Sequence, residues 1–281
     1  MHTAPLTWRC RDRDLDCTSG PLIMGVLNVT PDSFSDGGRY IDAAQAIERG
    51  LQMAAEGAAI LDIGGESSRP GAEPVPAGEE LRRVLPVIEG LAGRTECLIS
   101  VDTVKAAVAE AAVDAGAHIV NDITALQGDP NMAAVVSRSG AGLVLMHMQG
   151  TPRTMQAAPR YTDVVREVRD FLADRLAAAR EAGIAPDRVA LDPGIGFGKT
   201  LEHNLSLLKH LRVFHALDRP LLVGLSRKRF LGQLTGRPVE DRLLPSLAAL
   251  AFALGEGAQL ARVHDVKESC ETARLTAILR S

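Results

Sequence analysis

The chain has 281 residues, 46% of them hydrophobic and only 3% aromatic, with a formal net charge of −4 and a pI near 6.0. Such a core is aliphatic, as in layered α/β interiors, and the length suits one large domain such as a barrel. The acidic balance offers no basic surface for nucleic acid or an anionic membrane, and no apolar run reaches the roughly 20 residues of a membrane span. Cys10, Cys17, Cys97 and Cys270 show no CxxC and no metal-ligand spacing, as expected of reduced thiols in a cytosolic protein. The charged stretch around Arg9–Asp14 lacks the apolar centre of a signal peptide, so the expected location is cytoplasmic.

In chain order, residues 6–18 alternate loosely around Leu6, Trp8 and Leu15 and read as a small hairpin ahead of the main fold. Residues 20–38, GPLIMGVLNVTPDSFSDGG, open as an aliphatic strand and turn at Asn28 into a polar, Gly-rich loop. A helix over 42–56 stops at Gly57, and a strand over Ala58–Ile63 leads into GGESSRPG. The pattern then repeats: helix 78–92, strand Cys97–Val101 ending at Asp102, helix 104–115, strand His118–Val120 ending at Asn121 and Asp122. Helix 130–139 precedes strand Gly142–Met146, which ends at His147, and the longest helix covers 161–182. Strand Val189–Leu191 ends at Asp192 before PGIGFGKT, and helix 201–211 leads to strand Pro220–Val223 and GLSRKR. A Gly/Pro loop at 232–238, an apolar helix at 241–254, strand Gln259–Val263 and a final helix complete the chain.

About eight alternating β and α units with short links predict a parallel sheet, closed as a single-domain (β/α)8 TIM barrel, with a doubly wound open sheet as the alternative. Polar residues mark the C-terminal strand ends, where such barrels place their chemistry: Asn28, Asp102, Asn121, His147, Asp192, Lys228, Arg262 and His264, with Arg69 in the loop after the second strand. Any single turn Asp or Asn is more often a helix cap than a ligand-binding group. Their convergence on one rim points to a site.

Asp102, Asn121 and Asp192 are acceptors suited to a planar ligand with paired N–H groups, such as an amino-pyrimidinone, and Lys228 is placed to donate to its carbonyl or a ring nitrogen. Arg69, Arg262 and His264, with Asn28 and Asp36 as hard oxygen ligands for Mg²⁺, suit a diphosphate. The run at 192–200 is neither a Walker A loop, because Gly194 and Gly198 are one residue too close, nor GxGxxG, because Lys199 holds the third glycine's place. Its glycines are expected to let the backbone approach a flat ligand, with Phe197 either a stacking face or plain core packing. Ser226 in GLSRK is no nucleophile elbow. His203, His210 and His215 are expected on solvated helix faces, and Lys199 is expected to snorkel rather than bind an anion. Lys105, Arg227 and Arg229 stay ambiguous.

These motifs together resemble bacterial dihydropteroate synthase, the folate-pathway enzyme inhibited by sulfonamides. The matches run in family order: MGVLNVTPDSFSDGG at 24–38, DIGGESSRPGA at 62–72, SVDT at 100–103, NDI at 121–123, LMHMQGTP at 145–152, LDPGIGFGKT at 191–200, GLSRKRFLG at 224–232 and RVHDV at 262–266. The resemblance implies a barrel that condenses 6-hydroxymethyl-7,8-dihydropterin diphosphate with p-aminobenzoate, releasing diphosphate with Mg²⁺ as cofactor, and a homodimer. By motif, Asp102, Asn121, Asp192 and Lys228 would hold the pterin, with Met146 and Phe197 lining its slot. Asn28, Arg262 and His264 would hold the diphosphate and its metal, helped by Arg69 and Asp36, while Phe34, Ser68 and Pro70 would shape the aminobenzoate pocket. Two departures are visible: ESSRPG in place of the commoner ESTRPG, which removes a methyl at Ser68, and Arg229 where many members have Ser.

The chemistry expected is a dissociative substitution. The aromatic amine is a weak nucleophile, so most help goes to the leaving group; Asp102 and Asp192 would stabilise charge on the pterin methylene, and Mg²⁺, Arg262 and His264 would neutralise the diphosphate. Two alternatives are a methyltetrahydrofolate–corrinoid methyltransferase, which has no diphosphate to bind, and a catalytically silent pterin-binding paralogue.

Overall fold

A computed structural model describes residues 6–30, 39–69 and 71–280. Strands β1 (Thr7–Cys10) and β2 (Arg13–Asp16) form an antiparallel hairpin. Eight strands then make one parallel sheet: β3 (Leu22–Asn28), β4 (Ile60–Gly64), β5 (Leu98–Asp102), β6 (Ile119–Asp122), β7 (Gly142–Met146), β8 (Val189–Asp192), β9 (Leu222–Gly224) and β10 (Leu260–Val263). Their order is β8-β7-β6-β5-β4-β3-β10-β9, and a parallel bridge from Leu191 to Leu221 joins the two ends. The sheet is therefore a barrel, and the open-sheet alternative falls.

Alternation along each strand sorts its residues into two faces. One face packs under the helices, in a cluster that includes Ile23, Leu61, Ile63, Val101 and Leu143. The other fills the barrel, where Met24, Ile60, Leu98, Ile119, Val144, Ala190, Leu222 and Leu260 form one aliphatic layer. Two residues further along, the same inward face carries Val26, Asp62, Ser100, Asn121, Met146, Asp192, Gly224 and Arg262. Apolar below and polar above, the barrel interior changes character within one step of the pleat.

The hairpin closes the lower end. Trp8 is fully buried against the aliphatic layer together with Cys10 and Cys17, and its indole Nε1 donates to Arg188 O at 2.8 Å. Arg11 N donates to Gly140 O at 2.9 Å. Gly142 opens β7 without a side chain because a Cβ there would lie 2.6 Å from Cys10 Sγ.

Helices α1 (Arg39–Ala55), α2 (Ala77–Leu91), α3 (Ala106–Asp114), α4 (Met132–Ser139), α5 (Val164–Glu181), α6 (Leu201–Lys209), α7 (Arg229–Thr235), α8 (Leu243–Gly255) and α9 (Val266–Arg280) surround the barrel. Among the described residues, no helix is long and apolar enough to cross a membrane. Element α7 corrects the sequence reading, which placed a loop over 232–238. Gly232 is not a breaker: it sits inside the helix because a Cβ there would meet the Arg242 guanidinium at 2.3 Å, and the helix ends at Gly236, with φ of 71°.

The plug makes a direct prediction. Trp8→Ala should lower stability by about 3–5 kcal/mol, the usual range for truncating a buried Trp. Denaturation followed by circular dichroism would read it, since Trp8 is the sole tryptophan and its fluorescence is lost with it. An unchanged midpoint would mean that the hairpin adds nothing to closure.

Candidate active site

The polar layer is a charge network. Asp62 Oδ2 accepts from Arg262 Nε at 2.6 Å and from Asn121 Nδ2 at 3.1 Å, while Arg262 Nη2 donates to Asp102 Oδ2 at 2.7 Å. Asp62 is wholly buried and Asp102, Asn121 and Asp192 nearly so. Charges this deep persist only when paired, and Arg262 supplies the pairing. Asp62 Oδ1 and Ser100 Oγ are buried without a protein partner, and Asp62 and Ser100 face each other in register. Orphaned polar atoms at a barrel mouth suit a polar ligand.

Burial drives the electrostatics. It pushes the Asp102 carboxyl up to about 7 against the lowering pull of Arg262, with Asp62 and Glu80 adding to the rise. Burial likewise raises Asp192, whose Oδ1 accepts from Gly194 N at 2.7 Å and which feels Lys228 and Lys199. Lys228 is lowered by burial to about 8, with Asp192 opposing. Burial also opposes the charge on Arg262, but Asp62 and Asp102 outweigh it and keep the guanidinium protonated.

Lys228 Nζ sits 4.0 Å from the centroid of the half-buried Phe197 ring, a cation–π contact that fixes both side chains. Met146 ends β7 beside Asp192 in the β7–β8 register. His264 Nδ1 lies 3.0 Å from Ser226 Oγ, and burial with Arg262 nearby lowers its pKa to about 4, leaving a neutral ring at pH 7. Arg227, between Ser226 and Lys228, adopts a φ of 58° and pairs with Asp265 through Nε at 3.0 Å and Nη2 at 2.7 Å. This ion pair sets the turn that aims Lys228 back over the barrel. Arg229 is the first residue of α7 and is exposed.

The β8 loop differs from expectation. Two of its glycines admit protein backbone: a Cβ on Gly194, at φ 67°, would lie 1.8 Å from His147 O, and one on Gly198, at φ 63°, 2.5 Å from Gln149 O, whereas one on Gly196 would meet the Lys228 side chain, with Cδ at 3.1 Å. Lys199 neither snorkels nor awaits an anion. It is 3% exposed, and its Nζ bonds Gly194 O and Phe197 O at 2.9 Å and lies 2.9 Å from His147 Nδ1. Burial lowers Lys199 to about 7 and, with Lys199 beside it, His147 to about 3. The histidine calls also divide: His203 joins a capping box with Thr200 and packs edge-on to Tyr161 at 4.9 Å, and His215 Nε2 lies 3.0 Å from Gly257 O, so only His210 matches a solvated face.

At the other side of the mouth, the gap left by Gly64 separates Asn28 from Asp102: a Cβ there would be 3.7 Å from Asp102 Oδ2 and 3.8 Å from Asn28 Oδ1. Arg69 is exposed and Ser68 half-buried in the loop after β4, and Gly71 N donates to Pro152 O at 3.2 Å, which links that loop to the one after β7. Phe34, Asp36 and Pro70 lie outside the described residues. Among the described residues, no group of three or more His, Cys, Asp or Glu could hold a metal on its own.

Sequence reasoning missed Asp62 and Ser100, which lie one step below the strand ends. The signal was present: in ILDIG the aspartate shares the inward face of Ile60, a position that an unliganded aliphatic barrel would fill with a hydrophobe.

Residues 24–264 match the family described as pterin binding enzyme. The dihydropteroate synthase of Escherichia coli (strain K12) is 49% identical over 257 residues, covering 92% of this chain and 91% of that protein. The Xanthomonas albilineans dihydropteroate synthase solved with 4-aminobenzoic acid is 46% identical, covers 99% of both chains and superposes with a TM-score of 0.93. The same enzyme in complex with 7,8-dihydropteroate gives 44% identity and a TM-score of 0.88, covering 98% of this chain and 99% of that one. The chain belongs to the pterin-binding enzymes and, among them, to the dihydropteroate synthases.

Proposed function

We propose that the barrel mouth condenses 6-hydroxymethyl-7,8-dihydropterin diphosphate with p-aminobenzoate to give 7,8-dihydropteroate and diphosphate. The observation that carries this reading is the buried layer of Asp62, Asn121, Asp102 and Asp192 beneath Lys228 and Arg262. A pterin presents an amino group, a ring N–H and a carbonyl along one edge, which complements carboxylate acceptors with one ammonium donor. Phe197, pinned by Lys228, offers its ring to the pterin face.

The bond from the pterin methylene to the diphosphate oxygen breaks first, and its electron pair leaves with diphosphate. Positive charge spreads into the ring, where Asp102 and Asp192 are already placed and pay no reorganisation. The amine of p-aminobenzoate then bonds the methylene and loses a proton; an anilinium is acidic, so no strong base is required. Arg262 brings fixed positive charge to the leaving group, with the exposed Arg69 as a second cation. His264, neutral and held by Ser226, contributes a hydrogen bond rather than charge.

The donor set fits Mg²⁺ held largely by substrate oxygens: Asn28 Oδ1 is a hard ligand beside the opening left by Gly64, and Asp36 is the second candidate. When bound, the ion neutralises charge on the departing diphosphate. A homodimer is also proposed. The large exposed hydrophobics Leu244 and Phe252 on α8 and Leu275 and Leu279 on α9 lie on two helices packed side by side, and they suit a second copy of the chain.

Purified protein given both substrates should form dihydropteroate in a Mg²⁺-dependent manner; no product, with the pterin diphosphate still bound, would favour the silent paralogue. Asp192→Asn should lower kcat/KM by about 10²–10³-fold, as expected for losing a preorganised charge, and intact turnover would overturn the pterin site. The productive state pairs a carboxylate at Asp102, present above about 7, with an ammonium at Lys228, present below about 8. The kcat/KM for the pterin substrate should therefore peak between those values, and Lys228→Met should abolish the alkaline limb. Phe252→Glu should shift the protein to a monomer in analytical ultracentrifugation if α8 forms the dimer contact.

A further inference from the structure

The loop that follows β4 is tied down at its base by charges set just past the ends of β4 and β5, outside the layer of Asp62, Asn121 and Arg262. Lys105, immediately before α3, pairs through Nζ with Glu66 in that loop and, at 2.5 Å, with Glu80 Oε2 on α2. Glu80 is wholly buried, whereas Lys105 and Glu66 are about a quarter exposed at the side chain, 23% and 24%. A second anchor lies one residue back, where Arg83 Nη1 donates to Gly65 O at 2.8 Å while its Nε holds Glu79 Oε1 at 3.1 Å. Backbone packing is tight here: a Cβ on Gly65 would lie 3.0 Å from Glu80 Cγ. The next described anchor is Gly71 N on Pro152 O. The stretch carrying Ser68 and Arg69 spans the interval between these two clamps.

We propose that Lys105 is a positioning residue for the aminobenzoate-binding half of the reaction, holding Glu66 and thereby the loop with Ser68 and Arg69 at the height of the barrel mouth. This rests on the synthase reading above. The two arms of Lys105 have separable jobs. Its bond to Glu80 neutralises a buried carboxylate and belongs to stability. Its bond to Glu66 reaches the loop and belongs to substrate geometry. The pterin layer lies on the strands and has its own partners, Arg262, Asp62 and Asn121, so it is independent of the Glu66 arm.

The test separates the arms. Glu66→Ala removes the acceptor for Lys105 and leaves the Lys105–Glu80 pair in place, so its melting temperature and its affinity for 6-hydroxymethylpterin, measured by calorimetry, should match the wild type. Its KM for p-aminobenzoate should rise roughly ten- to a hundred-fold, the scale expected when a positioning contact is lost. Lys105→Met should raise the same KM and also lower the melting temperature, because Glu80 is left unpaired. Adding Glu80→Gln to Lys105→Met should recover the melting temperature but not the KM, and Lys105→Arg should recover both.

A KM within twofold of wild type in Glu66→Ala, or a KM that returns with the melting temperature in Lys105→Met/Glu80→Gln, would overturn the proposal. Wild-type turnover of both substrates, measured alongside, reports on the synthase reading itself: its absence rejects that reading whatever the variants do.

Discussion

The site depends on one guanidinium. Arg262 stands on β10 and binds two carboxylates from the neighbouring strands β4 and β5, and without it Asp62 and Asp102 would lose the cation they share. Removing one partner of such a pair strands a buried charge, at about 3–5 kcal/mol, so the network is an all-or-none feature of the folded chain. Its position follows from the pleat. The inward face that carries Leu260 must carry Arg262, and the face that carries Ile60 must carry Asp62. The aliphatic layer beneath, sealed by Trp8, keeps water from reaching these groups from below.

The loops above that layer are organised by different means. Gly194 and Gly198 bring the loop after β8 against the backbone of the loop after β7, and Lys199 binds both through His147, Gly194 and Phe197. A buried amine with three hydrogen-bond partners is a cross-link made of hydrogen bonds. It fixes where Phe197 sits, and Phe197 in turn fixes Lys228. The turn carrying Lys228 is held from the opposite side, where Arg227 reaches Asp265 and its amide donates to Ser246 Oγ at 2.9 Å.

Most of this architecture could be read from the sequence because the strands are short aliphatic runs bounded by turns, with polar residues at or just after their ends. Asp102, Asn121 and Asp192 follow from strand-end position, Lys228 from the turn after β9 and Arg262 from the charge it places in an aliphatic strand, and the structure gathers them at one mouth. What escaped was whatever depends on a partner far away in the chain. Gly232 looks like a helix breaker until Arg242 is seen lying across it, and Lys199 looks like a surface lysine until the β7 loop closes over it. Asp62 lies inside β4 and not at its end, and its partner Arg262 lies 200 residues away. The glycines of PGIGFG illustrate the same limit: their positive φ angles could be anticipated, but not whether ligand or protein would occupy the space.

The two halves of the site differ in how they are held, and the proposed reaction has a use for the difference. Charge develops on the pterin methylene, so the groups beside it gain most from being fixed before the bond breaks. They sit on strands, buried and mutually paired. The amine arrives as a weak nucleophile at a centre that is already electrophilic, and it asks mainly for access and a consistent angle of approach. A loop anchored at Gly65, Glu66 and Gly71, with solvent-exposed Arg69 between, meets that need without demanding a rigid wall. Rigidity is concentrated where charge changes, and freedom is left where a substrate must enter.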